Sequence, residues 1–71
     1  MRLSARNQLR GTVHSLRADG IMAEVVVRLT GGELVVAAIT ADSAARLGIV
    51  AGKPITAIVK STEVMLAVDD T

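Results

Sequence analysis

The chain has no cysteine, no Phe, Trp or Tyr, a single proline (Pro54) and a single histidine (His14). Each absence excludes something. Without cysteine there is no disulfide framework, and one histidine offers no His/Cys cluster for a structural metal. Without aromatic rings there are no stacking platforms of the kind that single-strand nucleic-acid binders use. Eight basic and seven acidic residues leave a net charge of +1, too little to attract a polyanion over a distance. The longest apolar runs fall far short of the ~20 residues of a membrane span. The opening residues, Met1-Arg2-Leu3-Ser4, lead into a polar stretch and not into the apolar region of a secretory signal. The expected location is therefore the cytoplasm.

What is present is aliphatic. Hydrophobic residues are 51% of the 71, including 11 Ala, 10 Val, 7 Leu and 5 Ile. A domain this small buries a modest share of its surface and normally needs a disulfide, a metal or self-association for stability. The first two are missing, so self-association is expected, with part of the Val and Ile facing another subunit.

Hydrophobic alternation organises the chain as one domain, residues 1–71. From Leu9 to Leu16 it predicts a strand, with Leu9, Gly11, Val13 and Ser15 on one side, Arg10, Thr12, His14 and Leu16 on the other, and a kink at Gly11. Asp19-Gly20 is a turn. Ile21, Ala23, Val25, Val27 and Leu29 then form an apolar face, the clearest period-two signal in the chain. Thr30-Gly31-Gly32-Glu33 reads as a hairpin turn. Leu34 to Ile39 is apolar on both faces, as in a strand covered on both sides. Thr40 is a good N-cap for a short helix that carries Asp42 in its first turn and closes at Gly48, with Ala44 and Leu47 facing the core. Ile55 to Lys60 is a fourth strand and Val64 to Val68 a fifth, again apolar on both faces. The order β-β-β-α-β-β with one short helix is that of an all-β, five-stranded, OB-like Greek-key barrel. An SH3-like barrel is the nearest competitor but normally lacks the helix.

Catalytic constellations are missing from the pattern. His14 lies on the outward side of a strand. The serines have no Gly-x-Ser-x-Gly setting, and the carboxylates sit in turns, on strand exteriors and in the tail. Gly31-Gly32 has no following Gly-Lys-Ser/Thr. The reading is not an enzyme, with no cofactor and no metal held directly by side chains. Nucleic-acid binding is a common use of OB barrels and is the alternative reading, but the basic residues are scattered. A set of polar residues at element ends stands out instead: Ser4 and Arg6 before the first strand, Thr40 and Arg46 at the two ends of the helix, Lys60 and Ser61 after the fourth strand. Hydroxyls, backbone N–H groups and two or three cations are the donors that a small tetrahedral oxyanion requires. Taken singly, each has a plainer role: Thr40 as a cap, Arg46 as a partner of the helix dipole, Arg6 and Lys60 as surface charges. Composition and spacing alone favour those plainer roles.

The motif Ser4-Ala5-Arg6-Asn7-Gln8-Leu9-Arg10-Gly11 resembles the opening of the molbindins, the Mop-like molybdate-binding domains. The similarity continues in order through Ala23-Glu24-Val25-Val26, Ala38-Ile39-Thr40, Leu47-Gly48, Gly52-Lys53, Thr56 to Ser61 and Val64 to Val68, with no departure at the motif positions. The resemblance implies a cytoplasmic store or buffer for molybdate or tungstate. It implies an OB-like fold, dimers that exchange strand contacts, and a homohexamer built as a trimer of dimers. It also implies anion sites between subunits: Ser4 and Arg6 reaching in from one, with Thr40, Arg46, Lys60 and Ser61 lining the site from the other. Neither a membrane nor a nucleic acid is an implied partner.

Overall fold

A computed structural model describes residues 4–69. Its elements are β1 (Asn7–Asp19), β2 (Met22–Leu29), β3 (Leu34–Thr40), α1 (Ala41–Arg46), β4 (Pro54–Val59) and a single 3₁₀ turn, Ser61–Glu63. All strand pairs are antiparallel, in the order β3-β2-β1-β4. The long β1 is shared: its first half pairs with β4, from Asn7 opposite Val59 to Thr12 opposite Pro54. Its second half pairs with β2, from Gly11 opposite Leu29 to Asp19 opposite Met22.

Gly11 sits where the two pairings overlap. A Cβ there would overlap the Arg28 carbonyl oxygen, so only glycine lets β1 and β2 approach so closely. The two hairpins turn on Gly20 (φ 63°) and Gly32 (φ 96°), both left-handed, as the Asp-Gly and Gly-Gly steps predict. The helix is capped as expected. Thr40 Oγ1 accepts from the Ser43 N–H at 3.1 Å, and Gly48 lies just beyond the Leu47 C-cap with φ 65°. Lys53 closes the same end, its Nζ donating to the carbonyls of Leu47 (2.7 Å) and Gly48 (3.2 Å).

The core is small and lies under β2. Val13, Val25, Val27 and Ile49 form it, with Leu29, Ile39 and Ile55 packed against them half-buried. Val25 is its most enclosed side chain, at 2% exposure. Three expectations fail in detail. The alternation along β1 breaks at His14, an extra residue between the pairs Val13–Val27 and Ser15–Val26. This bulge moves Ser15 to the outer face and Leu16, opposite the core residue Val25, to the inner one. Ile21 is in the turn before β2 and 80% exposed, so the inner face of β2 begins at Ala23. Leu47, the C-cap, is also exposed, and Ala44 alone anchors the helix.

The largest departure is the fifth strand. The described residues form four strands, and Val64 to Val68 follow the 3₁₀ turn without entering a ladder. Met65, Leu66 and Val68 are 92%, 91% and 86% exposed. A strand exists only when its backbone groups find a partner. The edges it could join, β3 and β4, are not paired with each other. They face across an apolar groove of about 450 Å³, lined by Val35 to Ile39 on one side and Ile55 to Val59 on the other. β3, expected to be covered on both faces, leaves Leu34 and Val36 exposed on its outer face.

Candidate functional site

The register of β1 and β4 assembles the first part of the site. Because Asn7 lies opposite Val59, the residues just before Asn7 and just after Val59 emerge side by side. Ser4, Ala5, Arg6, Lys60, Ser61 and Thr62 line one open pocket of about 370 Å³. Its walls are held from both sides. Gln8 Nε2 donates to the Ala5 carbonyl at 2.8 Å, pinning the N-terminal arm. The Glu63 N–H donates to the Lys60 carbonyl at 2.9 Å, closing the turn after β4. Among the described residues neither Arg6 nor Lys60 has an acidic partner, since the one ion pair lies elsewhere. Two unpaired cations and three hydroxyls thus share one exposed concavity, with charge to match a dianion.

Thr40 and Arg46 form a second cluster on α1, bridged by a residue the sequence reading missed. Thr40 Oγ1 donates to Ser43 Oγ at 2.7 Å, and Arg46 Nη2 donates to the same oxygen at 3.3 Å. The Thr40-x-x-Ser43 spacing carried that signal, since a cap and the third residue of its helix face one another. Arg46 is also paired with Asp42, Nε to Oδ2 at 3.2 Å. In the strand ladder the two clusters stand at opposite ends of the 13-residue β1. Lys60 follows the partner of Asn7, whereas Thr40 lies beside Met22, the partner of Asp19. Among the described residues no hydrogen bond joins them. The single chain therefore groups Lys60 and Ser61 with Ser4 and Arg6, and sets Thr40 and Arg46 apart.

The remaining candidates fall outside these clusters. His14, at the bulge, lies with its Nδ1 3.3 Å from Arg28 Nη2 on the exposed face. Among the described residues no group of three or more His, Cys, Asp or Glu is placed to hold a bare metal ion. No helix among them is long and apolar enough to cross a membrane.

A four-stranded, curled β-sheet with one short helix and a polar pocket where β1 begins and β4 ends defines a small β module. Residues 3–66 match the TOBE domain, and the chain belongs to that family. It is 46% identical over 66 residues to molybdenum-pterin-binding protein 1 of Clostridium pasteurianum, covering 93% of this chain and 97% of the relative. Among solved structures it is similar to MopII of the same organism, with a TM-score of 0.90 and 43% identity over 94% of this chain and all of that one. A molybdate-binding protein from Sporomusa ovata superposes with a TM-score of 0.88 and 42% identity, over 94% and 98% of the two chains. The cytoplasmic molybdate-binding protein ModG, solved with molybdate bound, superposes with a TM-score of 0.83 and 38% identity, over 86% of this chain and 43% of that one.

Proposed function

We infer that this protein binds molybdate or tungstate as the intact oxyanion, and that it serves as a cytoplasmic store for it without catalysing a reaction. The observation that carries the reading is the pocket that brings Ser4, Arg6, Lys60 and Ser61 together, with no counter-ion for either cation among the described residues. Its donors suit a tetrahedral dianion, and the relatives named above are described as binding molybdenum or molybdate. Thr40 and Arg46 complete the proposed site. Since they stand at the far end of the ladder from that pocket, they join it across an interface between two copies.

The same reading assigns the exposed tail. Val64 to Val68 of one copy enters the groove between β3 and β4 of another, supplying the fifth strand and closing a Greek-key barrel. The apolar groove, its two unpaired edges and an exposed apolar segment support this exchange. The exposed outer face of β3 supports further association, to a hexamer. Selectivity follows from size and hydration. Molybdate and tungstate carry the charge of sulfate but are larger and less strongly hydrated, so fixed donors favour them at equal charge.

Thermal melting against molybdate, tungstate, sulfate, phosphate and single-stranded DNA tests the reading. A ligand present at 100 times its Kd stabilises the folded state by about 2.7 kcal/mol. Molybdate and tungstate are expected to raise Tm, sulfate and phosphate much less. A shift with DNA and none with molybdate would transfer the case to nucleic-acid binding.

A further inference from the structure

We propose that Asp42 is a built-in competitor for the oxyanion, holding the guanidinium of Arg46 and thereby weakening anion binding. The proposal rests on the reading that Arg46 belongs to the oxyanion site, and goes beyond it by assigning a role to a residue that binds no ligand. The donors of Arg46 are partly committed. Nε is paired with Asp42 Oδ2 at 3.2 Å, one turn away on the helix, and Nη2 donates to Ser43 Oγ at 3.3 Å. Among the described residues Nη1 makes no hydrogen bond. A guanidinium grips an oxyanion best with two N–H groups on one edge. With Asp42 on Nε, only the Nη1–Nη2 edge is left for a ligand, and Nη2 already shares its protons with Ser43.

The carboxylate also repels the ligand directly. It is a full negative charge beside the cation that would receive a dianion, and the pair is mostly exposed, at 71% and 83% for the Arg46 and Asp42 side chains. An exposed i,i+4 pair is a weak bond, so it yields to a ligand instead of excluding it. The result is a site whose affinity is held below what its cations could give. A store benefits from that, since an anion held with fewer donors leaves sooner. Thr40, which donates to Ser43 Oγ at 2.7 Å, keeps the hydroxyl side of this network in place whether or not Asp42 is bonded.

The experiment is calorimetric titration with molybdate of the full chain and of Asp42→Asn, Arg46→Ala, the double variant and Glu33→Gln. Glu33→Gln makes the same charge change on the β2–β3 hairpin. Circular dichroism of each variant reports whether the helix survives loss of its first-turn acid. Asp42→Asn is expected to tighten binding about three- to tenfold through removal of one nearby exposed charge, and Glu33→Gln, whose carboxylate is not paired with Arg46, to change it less. In the Arg46→Ala background Asp42→Asn should give no gain. Unchanged or weaker binding by Asp42→Asn overturns the proposal, as does an equal gain with Arg46 absent, which would mean action through general charge. If Arg46→Ala binds like the parent, the assignment of Arg46 to the site has failed, and the proposal with it. That outcome differs from a failure of Asp42 alone, in which Arg46→Ala weakens binding but Asp42→Asn does not strengthen it.

Discussion

Ending the chain after Glu63 removes the segment assigned here to a second copy. Of the side chains lost, Met65, Leu66 and Val68 are almost fully exposed in the single chain, and none contributes to the core. A folded monomer would therefore lose little by the deletion. An exchanged dimer would lose a great deal. Fully burying each such side chain is worth about 1.5–3 kcal/mol, so the three contribute on the order of 5–9 kcal/mol per tail, and two tails about twice that. Association costs about 4–15 kcal/mol in lost freedom, comparable to the gain at stake, so a dimer stable at micromolar concentration should dissociate without its tails. Sedimentation velocity of the parent and the truncated chain at matched micromolar concentrations is the assay, with circular dichroism to follow the sheet. The parent should sediment as an oligomer. The truncated chain should sediment as a monomer or fail to fold, because its groove would open to water. A truncated chain that keeps the parent's oligomeric mass would refute the exchange. Leu66→Asp, which keeps the length but cannot enter an apolar groove, should reproduce the truncation.

Two further substitutions probe the scaffold. Gly11→Ala forces a Cβ into the Arg28 carbonyl, a backbone group that cannot rotate away, and should destabilise by about 1–3 kcal/mol in urea melts. Thr40→Ala removes the cap that accepts from the Ser43 N–H and should cost about 1 kcal/mol, with Thr40→Ser retaining most of it; chemical denaturation followed by circular dichroism checks both.

Local chemistry made most of the fold legible in the sequence. Asp19-Gly20 and Gly31-Gly32 marked the hairpins because left-handed backbone needs glycine, and Thr40 marked the helix start because its hydroxyl replaces a missing backbone acceptor. The inner face of β2 from Ala23 to Val27 followed from alternation. What was hidden depends on partners distant in the chain. The bulge at His14 inserts one residue and reverses the alternation beyond it, so simple alternation places Leu16 on the wrong face; nothing in the β1 sequence signals this, because the bulge is set by how β2 pairs. Val64 to Val68 has the composition of a strand, but composition cannot say whether the partner edge lies in the same chain. The same division holds for the site. Ser4, Arg6, Lys60 and Ser61 meet because β1 and β4 end together, a register that no local motif encodes, whereas the Ser43 bridge could have been read from its spacing to Thr40.

The proposed oxyanion site depends most directly on Arg6. It lies before β1, outside the core, so its loss should spare the fold of one subunit. A hydrogen bond to a charged group is worth about 1.5–3 kcal/mol, and its removal would leave Lys60 alone to offset a dianion in that pocket. Calorimetric titration with molybdate should show Arg6→Ala weakened by about tenfold or more, and Arg6→Lys only partly restored because lysine lacks the planar fork. Arg28→Ala, which removes the same charge from the exposed face of β2, should bind like the parent. Parent-like binding by Arg6→Ala together with weakened binding by Arg28→Ala would contradict the account, since the anion would then be held on the face of the sheet and not where β1 begins and β4 ends.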